Sequence, residues 1–124
     1  MMPVRATMLP SYGVVEVTGR DARAFLQGQL TNDLLGIERH PGMLAAACNR
    51  QGRVVAMMRL AAAGDGVLIV LRRDIAPLLI AQLSQFVLRA QVTIADRSQS
   101  LEVMGLLDAR PDARWSQAAA AASG

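Results

Sequence analysis

Three apolar runs separated by two short turns fix the middle of this chain. Met43–Cys48 and Arg53–Ala62 flank Asn49-Arg50-Gln51-Gly52, a polar link ending in Gly, which is the composition of a hairpin loop. Gly64-Asp65-Gly66 makes the next turn, and Val67-Leu68-Ile69-Val70-Leu71 follows as an unbroken apolar run, the pattern of a strand buried on both faces. Links this short leave no room for a crossover, so the three strands form an antiparallel meander.

The flanking segments add helices and further strands. Tyr12–Val17 is rich in β-branched residues and reads as a strand. A helix is predicted over Arg20–Asp33, with Asp21 as N-cap accepting from first-turn N–H groups and Ala22, Phe25, Leu26 and Leu30 on one apolar face. Gly36–Gly42, containing His40-Pro41, is a connecting loop. Asp74 is placed as the cap of a second helix whose first turn holds Pro77, where a missing N–H is harmless. Its apolar stripe is Ile75, Leu78, Leu79, Leu83 and Phe86. Val87–Asp96 and Leu101–Leu107 read as the last strands. Residues 1–10 are an irregular or extended leader, and residues 110–124, with the sole Trp115, are a poorly packed tail. The order β-α-β-β-β-α-β-β predicts an α+β fold: a mainly antiparallel sheet with two principal helices on one side.

Composition bounds the rest. The 124 residues make a single domain, and with aromatics at 3% its core must be built from Ala, Val, Leu, Ile and Met. No apolar run approaches the ~20 residues that span a bilayer, and residues 1–10 lack the apolar stretch of a signal peptide. A lone Cys48 excludes an intrachain disulfide framework and fits a reducing compartment, so a cytoplasmic location is expected. The net charge is +3, and all 13 basic residues are Arg, scattered along the chain. A nucleic-acid surface calls for a clustered basic stripe with interleaved aromatics, so no direct nucleic-acid partner and no membrane partner is expected.

The stretch Phe25-Leu26-Gln27-Gly28-Gln29-Leu30-Thr31-Asn32-Asp33 departs from generic apolar packing. Gly28 costs a helix about 1 kcal/mol against Ala, which makes sense where a backbone or a ligand comes close. The surrounding amides and hydroxyl either line a polar ligand pocket or mark a helix end frayed into a polar turn. His40 and Cys48 are each the only residue of their kind, so no metal cluster and no nucleophile–base pair is available, and no catalytic residue is assigned. His40 reads as solvated, Cys48 as a small buried residue. Arg53 and Arg59 share one strand face, either to receive an acidic ligand group or as the wet side of the sheet.

Val17-Thr18-Gly19-Arg20-Asp21-Ala22-Arg23-Ala24-Phe25-Leu26-Gln27-Gly28-Gln29-Leu30-Thr31-Asn32-Asp33 closely resembles the N-terminal part of the YgfZ-type folate-binding proteins, of the superfamily of the glycine cleavage T protein. The likeness continues through Leu44–Arg53, Met58-Arg59-Leu60, Asp65-Gly66 and Val87–Ile94. The resemblance implies the T-protein type of folate-binding domain, binding of tetrahydrofolate or a derivative, and support of iron–sulfur enzymes, including those that thiolate tRNA. Iron–sulfur client proteins are the implied partners. Tyr12 falls where a relative places a folate-contacting Trp, and its ring is suited to stack on a pterin. By the same likeness Gln27, Gln29, Thr31 and Asn32 border the cavity, and Arg59 joins them as a cofactor-binding candidate.

Two departures matter. The glycine-cleavage enzymes carry an Asp pair shortly after the Gly of the Gly52-like turn, whereas this chain has Val54-Val55-Ala56, so the carboxylate needed for proton transfer is missing. That argues against an enzyme and for an accessory folate-binding protein. The family's Lys-Gly-Cys-Tyr-x-Gly-Gln-Glu motif is also absent, and Cys48 does not match it, so the chain is expected to be the N-terminal portion of such a protein, either a fragment of a longer chain or a truncated protein that has lost the function. The alternatives are an aminomethyltransferase-like enzyme and a ligand-free interaction domain that self-associates through exposed apolar surface.

Overall fold

The alternation of side chains in the central runs builds the expected meander. In the computed structural model, which describes residues 5–40 and 42–107, β1 is Arg5–Met8 and β2 is Tyr12–Thr18. Strands β3 (Met43–Cys48), β4 (Val54–Ala63) and β5 (Gly66–Arg72) follow, and β6 (Thr93–Asp96) and β7 (Met104–Leu107) close the described chain. The five-stranded sheet runs β3-β4-β5-β2-β6 with every pairing antiparallel, and β1 pairs with β7 in a separate ribbon. This is an α+β fold with a wholly antiparallel main sheet. At the β3–β4 turn Gly52 takes φ +79, a conformation Gly adopts without strain.

Two helices, α1 (Ala22–Gln29) and α2 (Ala76–Ser84), cover the same face of the sheet. Val15, Val17, Met58, Leu60, Val67, Ile69 and Leu71 project from the strands against Leu26 of α1 and Leu79 and Leu83 of α2. Ile37, from the loop after α1, is equally buried there. The core is aliphatic, as the composition demands. β5 is buried on both faces from Gly66 to Leu71, matching its unbroken apolar run.

Several expected boundaries shift, each for a local reason. The leader is a strand where it is described, because Arg5–Met8 finds a partner in β7. The first helix stops at Gln29 rather than Asp33: Leu30 turns extended, buries its side chain and bridges Ala47, and a short 3₁₀ turn covers Leu34–Gly36. Asp21 stands at the N-cap but makes no side-chain cap bond there. Its Oδ2 instead accepts from Gln91 N–H at 2.8 Å, and its own N–H donates to the Gln91 carbonyl at 3.2 Å. That reciprocal pair holds the chain before β6 in an irregular path, so the strand expected over Val87–Asp96 is confined to Thr93–Asp96. The final strand is likewise Met104–Leu107 rather than Leu101–Leu107.

Asp74 does not cap α2 either; Ile75 occupies the N-cap and Asp74 pairs with Arg72 at 2.8 Å. Pro77 sits in the first turn as expected. Leu78 and Phe86 of the anticipated stripe face outward, while Ala76 takes a buried place beside Leu79 and Leu83. Cys48 is half-buried rather than buried. The tail over residues 110–124, Trp115 and Pro41 lie outside the described residues.

Candidate functional site

A helix-covered sheet has one face left to offer. On the opposite face Val14, Leu68 and Val70 are sealed by Leu9, Leu101 and Val103 from the segments leading out of β1 and into β7. This cover stops short of the β3–β4 side. There Leu44 is 52% and Met57 60% exposed, and Tyr12 at the start of β2 is 38% exposed.

Register places these residues on one surface. Tyr12 stands opposite Arg72, and Val14 opposite Val70. Val70 also faces Arg59, which in turn faces Leu44, while Ala46 faces Met57. Tyr12 and Arg59 therefore share the open face with an apolar floor of Leu44 and Met57. Arg59 is half-buried and anchored, with Nη1 donating to the Gly42 carbonyl at 3.1 Å. An aromatic ring beside apolar side chains and a fixed guanidinium suits a flat ligand bearing an acidic tail. Glu16, on the same face, is engaged by Arg97 Nε at 3.1 Å.

The polar string after α1 does something else. Thr31 N–H donates to the Ala46 carbonyl at 3.0 Å, and Thr31 Oγ1 accepts from Ala46 N–H at 3.0 Å. Asn32 Nδ2 donates to the Leu44 carbonyl at 2.7 Å, and Gln27 Oε1 accepts from Leu34 N–H at 2.7 Å. Together with the Leu30–Ala47 bridge, these bonds cover the outer edge of β3. Thr31 and Asn32 thus line the rim of the open face from its edge, while Gln27 braces the 3₁₀ turn from its far end. Gln29 is separated from them and borders a cleft at the helix ends, together with Gly28. No heavy atom lies within 4 Å of where a Cβ on Gly28 would be, so no neighbouring backbone explains that glycine.

Sequence reasoning missed Leu44 and Met57 as parts of the surface. Both sit in near-continuous apolar runs, Met43–Cys48 and Val54–Ala63, where an apolar residue pointing outward looks, in a sequence, like one pointing inward. His40 is exposed, as expected. Among the described residues no group of three or more His, Cys, Asp or Glu side chains is placed to hold a metal ion, and no helix is long and apolar enough to cross a membrane. Among the described residues the clear shift in acidity is at Asp96. There the Ser98 hydroxyl and then the Ser98 N–H stabilise the carboxylate, with Arg73 adding attraction, and its pKa is lowered.

No protein-family model matches the chain. Among known proteins it is similar to the tRNA-modifying protein YgfZ of Edwardsiella ictaluri, at 31% identity over 90% of this chain and 37% of that protein. It is similar also to the tRNA-modifying protein YgfZ of Cronobacter sakazakii, at 27% identity over 81% of this chain and 30% of that one. The chain thus spans about a third of the length of the curated relatives it matches. Among solved structures, the glycine cleavage system aminomethyltransferase T from Bartonella henselae superposes with a TM-score of 0.72 over 86% of this chain and 29% of that chain, at 13% identity. That likeness gives the fold: the sheet and its two helices are of the glycine cleavage T-protein type.

Proposed function

We propose that this chain is the N-terminal, folate-binding part of a YgfZ-type protein, acting as an accessory to iron–sulfur enzymes and tRNA modification in the cytoplasm rather than as an enzyme. The similarity to proteins named for tRNA modification supports the family, and the T-protein fold supports a pterin-type ligand. The observation that carries the reading is the open sheet face, where Tyr12 and Arg59 stand over the apolar floor of Leu44 and Met57. Tetrahydrofolate or a derivative fits that surface. Its pterin would lie against the Tyr12 ring, and its glutamate carboxylates would meet Arg59. Thr31 and Asn32 border the same face, and Gln27 braces the 3₁₀ turn behind its rim, while Gln29 lies apart from it. When bound, the folate would supply the one-carbon-carrying group.

The residues here bind and orient; they do not move protons. Val54, Val55 and Ala56 occupy the hairpin end of β4 where a general acid–base would be needed, and Glu16 on the face is paired with Arg97. An aminomethyltransferase role is therefore the weaker reading.

The test is a calorimetric titration of tetrahydrofolate into the 124-residue chain, beside Tyr12→Ala and Tyr12→Trp variants. Stacking of this kind is worth about 0.5–1.5 kcal/mol, so Tyr12→Ala should weaken binding about 2- to 12-fold while Tyr12→Trp retains it. A folded protein that gives no heat of binding, or equal affinity across all three chains, would overturn the reading and leave the face as a protein-docking surface.

A further inference from the structure

Three segments remote in sequence meet at one end of the sheet: the last turn of α1, the β3–β4 hairpin and the residues that close α2. Between them lies a cleft of about 350 Å³, within the size range of small-ligand sites. Its walls carry Gln29, Cys48, Arg50, Gln82, Gln85 and Phe86, and no carboxylate among the described residues. The cleft is separate from the open sheet face and independent of the folate reading.

The cleft is partly organised and partly unspent. Gln82 Nε2 donates to the Cys48 carbonyl at 3.0 Å, which fixes that amide and leaves its Oε1 as an acceptor. Asn49 Oδ1 accepts from the N–H groups of Gln51 and Arg53, each at 3.0 Å, and so sets the hairpin that carries Arg50. The side chains of Gln29, Gln85 and Arg50 have no hydrogen bond or ion pair among the described residues. Phe86 leaves 41% of its surface exposed, and Gly28 presents bare backbone.

Charge is divided across the cleft. Both helices end here, so their C-terminal carbonyls give one wall a partial negative charge, while Arg50 gives the hairpin wall a positive one. A matching ligand has a flat aromatic body for Phe86, an edge of amino and carbonyl groups for the glutamines and helix carbonyls, and an anionic group for Arg50. We infer that this cleft binds a nucleotide, either free or as an unpaired residue of an RNA strand. Stacking on an aromatic ring, amide contacts to the base edge and an Arg on the phosphate are the usual terms of such recognition. The sequence expectation of no nucleic-acid contact counted scattered arginines and few aromatics. The fold brings Arg50 and Phe86 together from distant parts of the chain.

The test uses isotope-labelled chain and NMR, titrating adenosine and guanosine 5′-monophosphates, inorganic phosphate and a single-stranded RNA hexanucleotide. Saturable shifts at the side-chain amides of Gln29, Gln82 and Gln85 are expected with the nucleotides but not with phosphate. Phe86→Ala and Arg50→Ala should each weaken binding about fivefold or more. Arg50 is exposed and unpaired, so Arg50→Ala reports on binding even if Phe86→Ala misfolds. Tighter binding of the hexanucleotide by about tenfold assigns an RNA strand; equal affinity assigns a free nucleotide. Shifts confined to other regions, shifts reproduced by phosphate alone, or affinity unchanged in Arg50→Ala would overturn the proposal. Tyr12→Ala should leave nucleotide binding intact, and Arg50→Ala should leave tetrahydrofolate binding intact, so the two sites fail separately.

Discussion

Thr31 and Ala46 hold each other twice, the Thr31 N–H donating to the Ala46 carbonyl and the Ala46 N–H to Thr31 Oγ1, both at 3.0 Å. A side chain here completes what would otherwise be an unpaired strand edge. Asn32 does the same one pair further along, with Nδ2 on the Leu44 carbonyl. Thr31→Val keeps the shape and removes the acceptor, so it should cost about 0.5–1.5 kcal/mol in chemical denaturation. Combined with Asn32→Ala it strips the edge of β3, and size-exclusion chromatography should then show a larger share of dimers or higher species than the parent chain gives under the same conditions.

Gln27 and Gln29 look equivalent in the sequence and are not. Gln27 Oε1 receives Leu34 N–H at 2.7 Å, a bond between the helix and the 3₁₀ turn. Gln27→Ala should destabilise the fold by about 1 kcal/mol, whereas Gln29→Ala, with no side-chain bond among the described residues, should leave stability within about 0.5 kcal/mol. Paired thermal melts check both. If the two variants behave alike, the division of the polar string into a bracing and a ligand-facing part is wrong.

Two glycines should respond in opposite directions. A Cβ on Gly66 would collide with the Val17 carbonyl, and both neighbours are hydrogen-bonded strands that cannot part cheaply. Gly66→Ala should therefore cost about 1–3 kcal/mol. Gly28 lies in the helix with open space around it, so Gly28→Ala should stabilise by about 0.5–1 kcal/mol. Urea unfolding of the two variants makes the comparison.

Ser98 links acidity to the strand pairing. Its Oγ accepts from Val14 N–H at 3.1 Å, and its own N–H donates to Asp96 Oδ1 at 2.9 Å. The Ser98 hydroxyl and N–H, with Arg73 behind them, lower the Asp96 pKa below 3.8. A carboxyl depressed in the folded state contributes stability above its unfolded pKa and loses it as pH falls through the folded value. Melting temperature should thus fall on acidification below about pH 4, and the part of that fall owed to Asp96 should vanish in Asp96→Asn. An unchanged acid limb in that variant would contradict the assignment.

What the sequence made legible was whatever depends on near neighbours. Val67–Leu71 announced a doubly buried strand, and Asn49-Arg50-Gln51-Gly52 announced its hairpin, because periodicity and turn chemistry are local. Asp21 was legible as a helix start but not as the partner of Gln91, since the competing donor arrives from far along the chain. The same holds for Thr31 and Asn32, read as pocket residues and found bonded to β3. Tyr12 and Arg59 were singled out separately; only the register of β2, β5 and β4 puts them on one face. Phe86 was assigned to the helix's apolar stripe by its spacing, yet it is 41% exposed, and α2 ends two residues before it at Ser84.

The strand order carries a consequence for how the chain is made. β2 leaves the ribosome before its hydrogen-bonding partners β5 and β6, and β1 waits for β7. The β3–β4–β5 meander closes over short loops and can assemble as soon as it emerges. The nascent β2, with Val14, Val15 and Val17 to bury, must stay unpaired until residues up to Arg72 have been synthesised, and its second edge stays open until Asp96. Non-local closure of this kind is slow, so translation speed and chaperone cover over that interval decide whether β2 finds its slot or another molecule's edge.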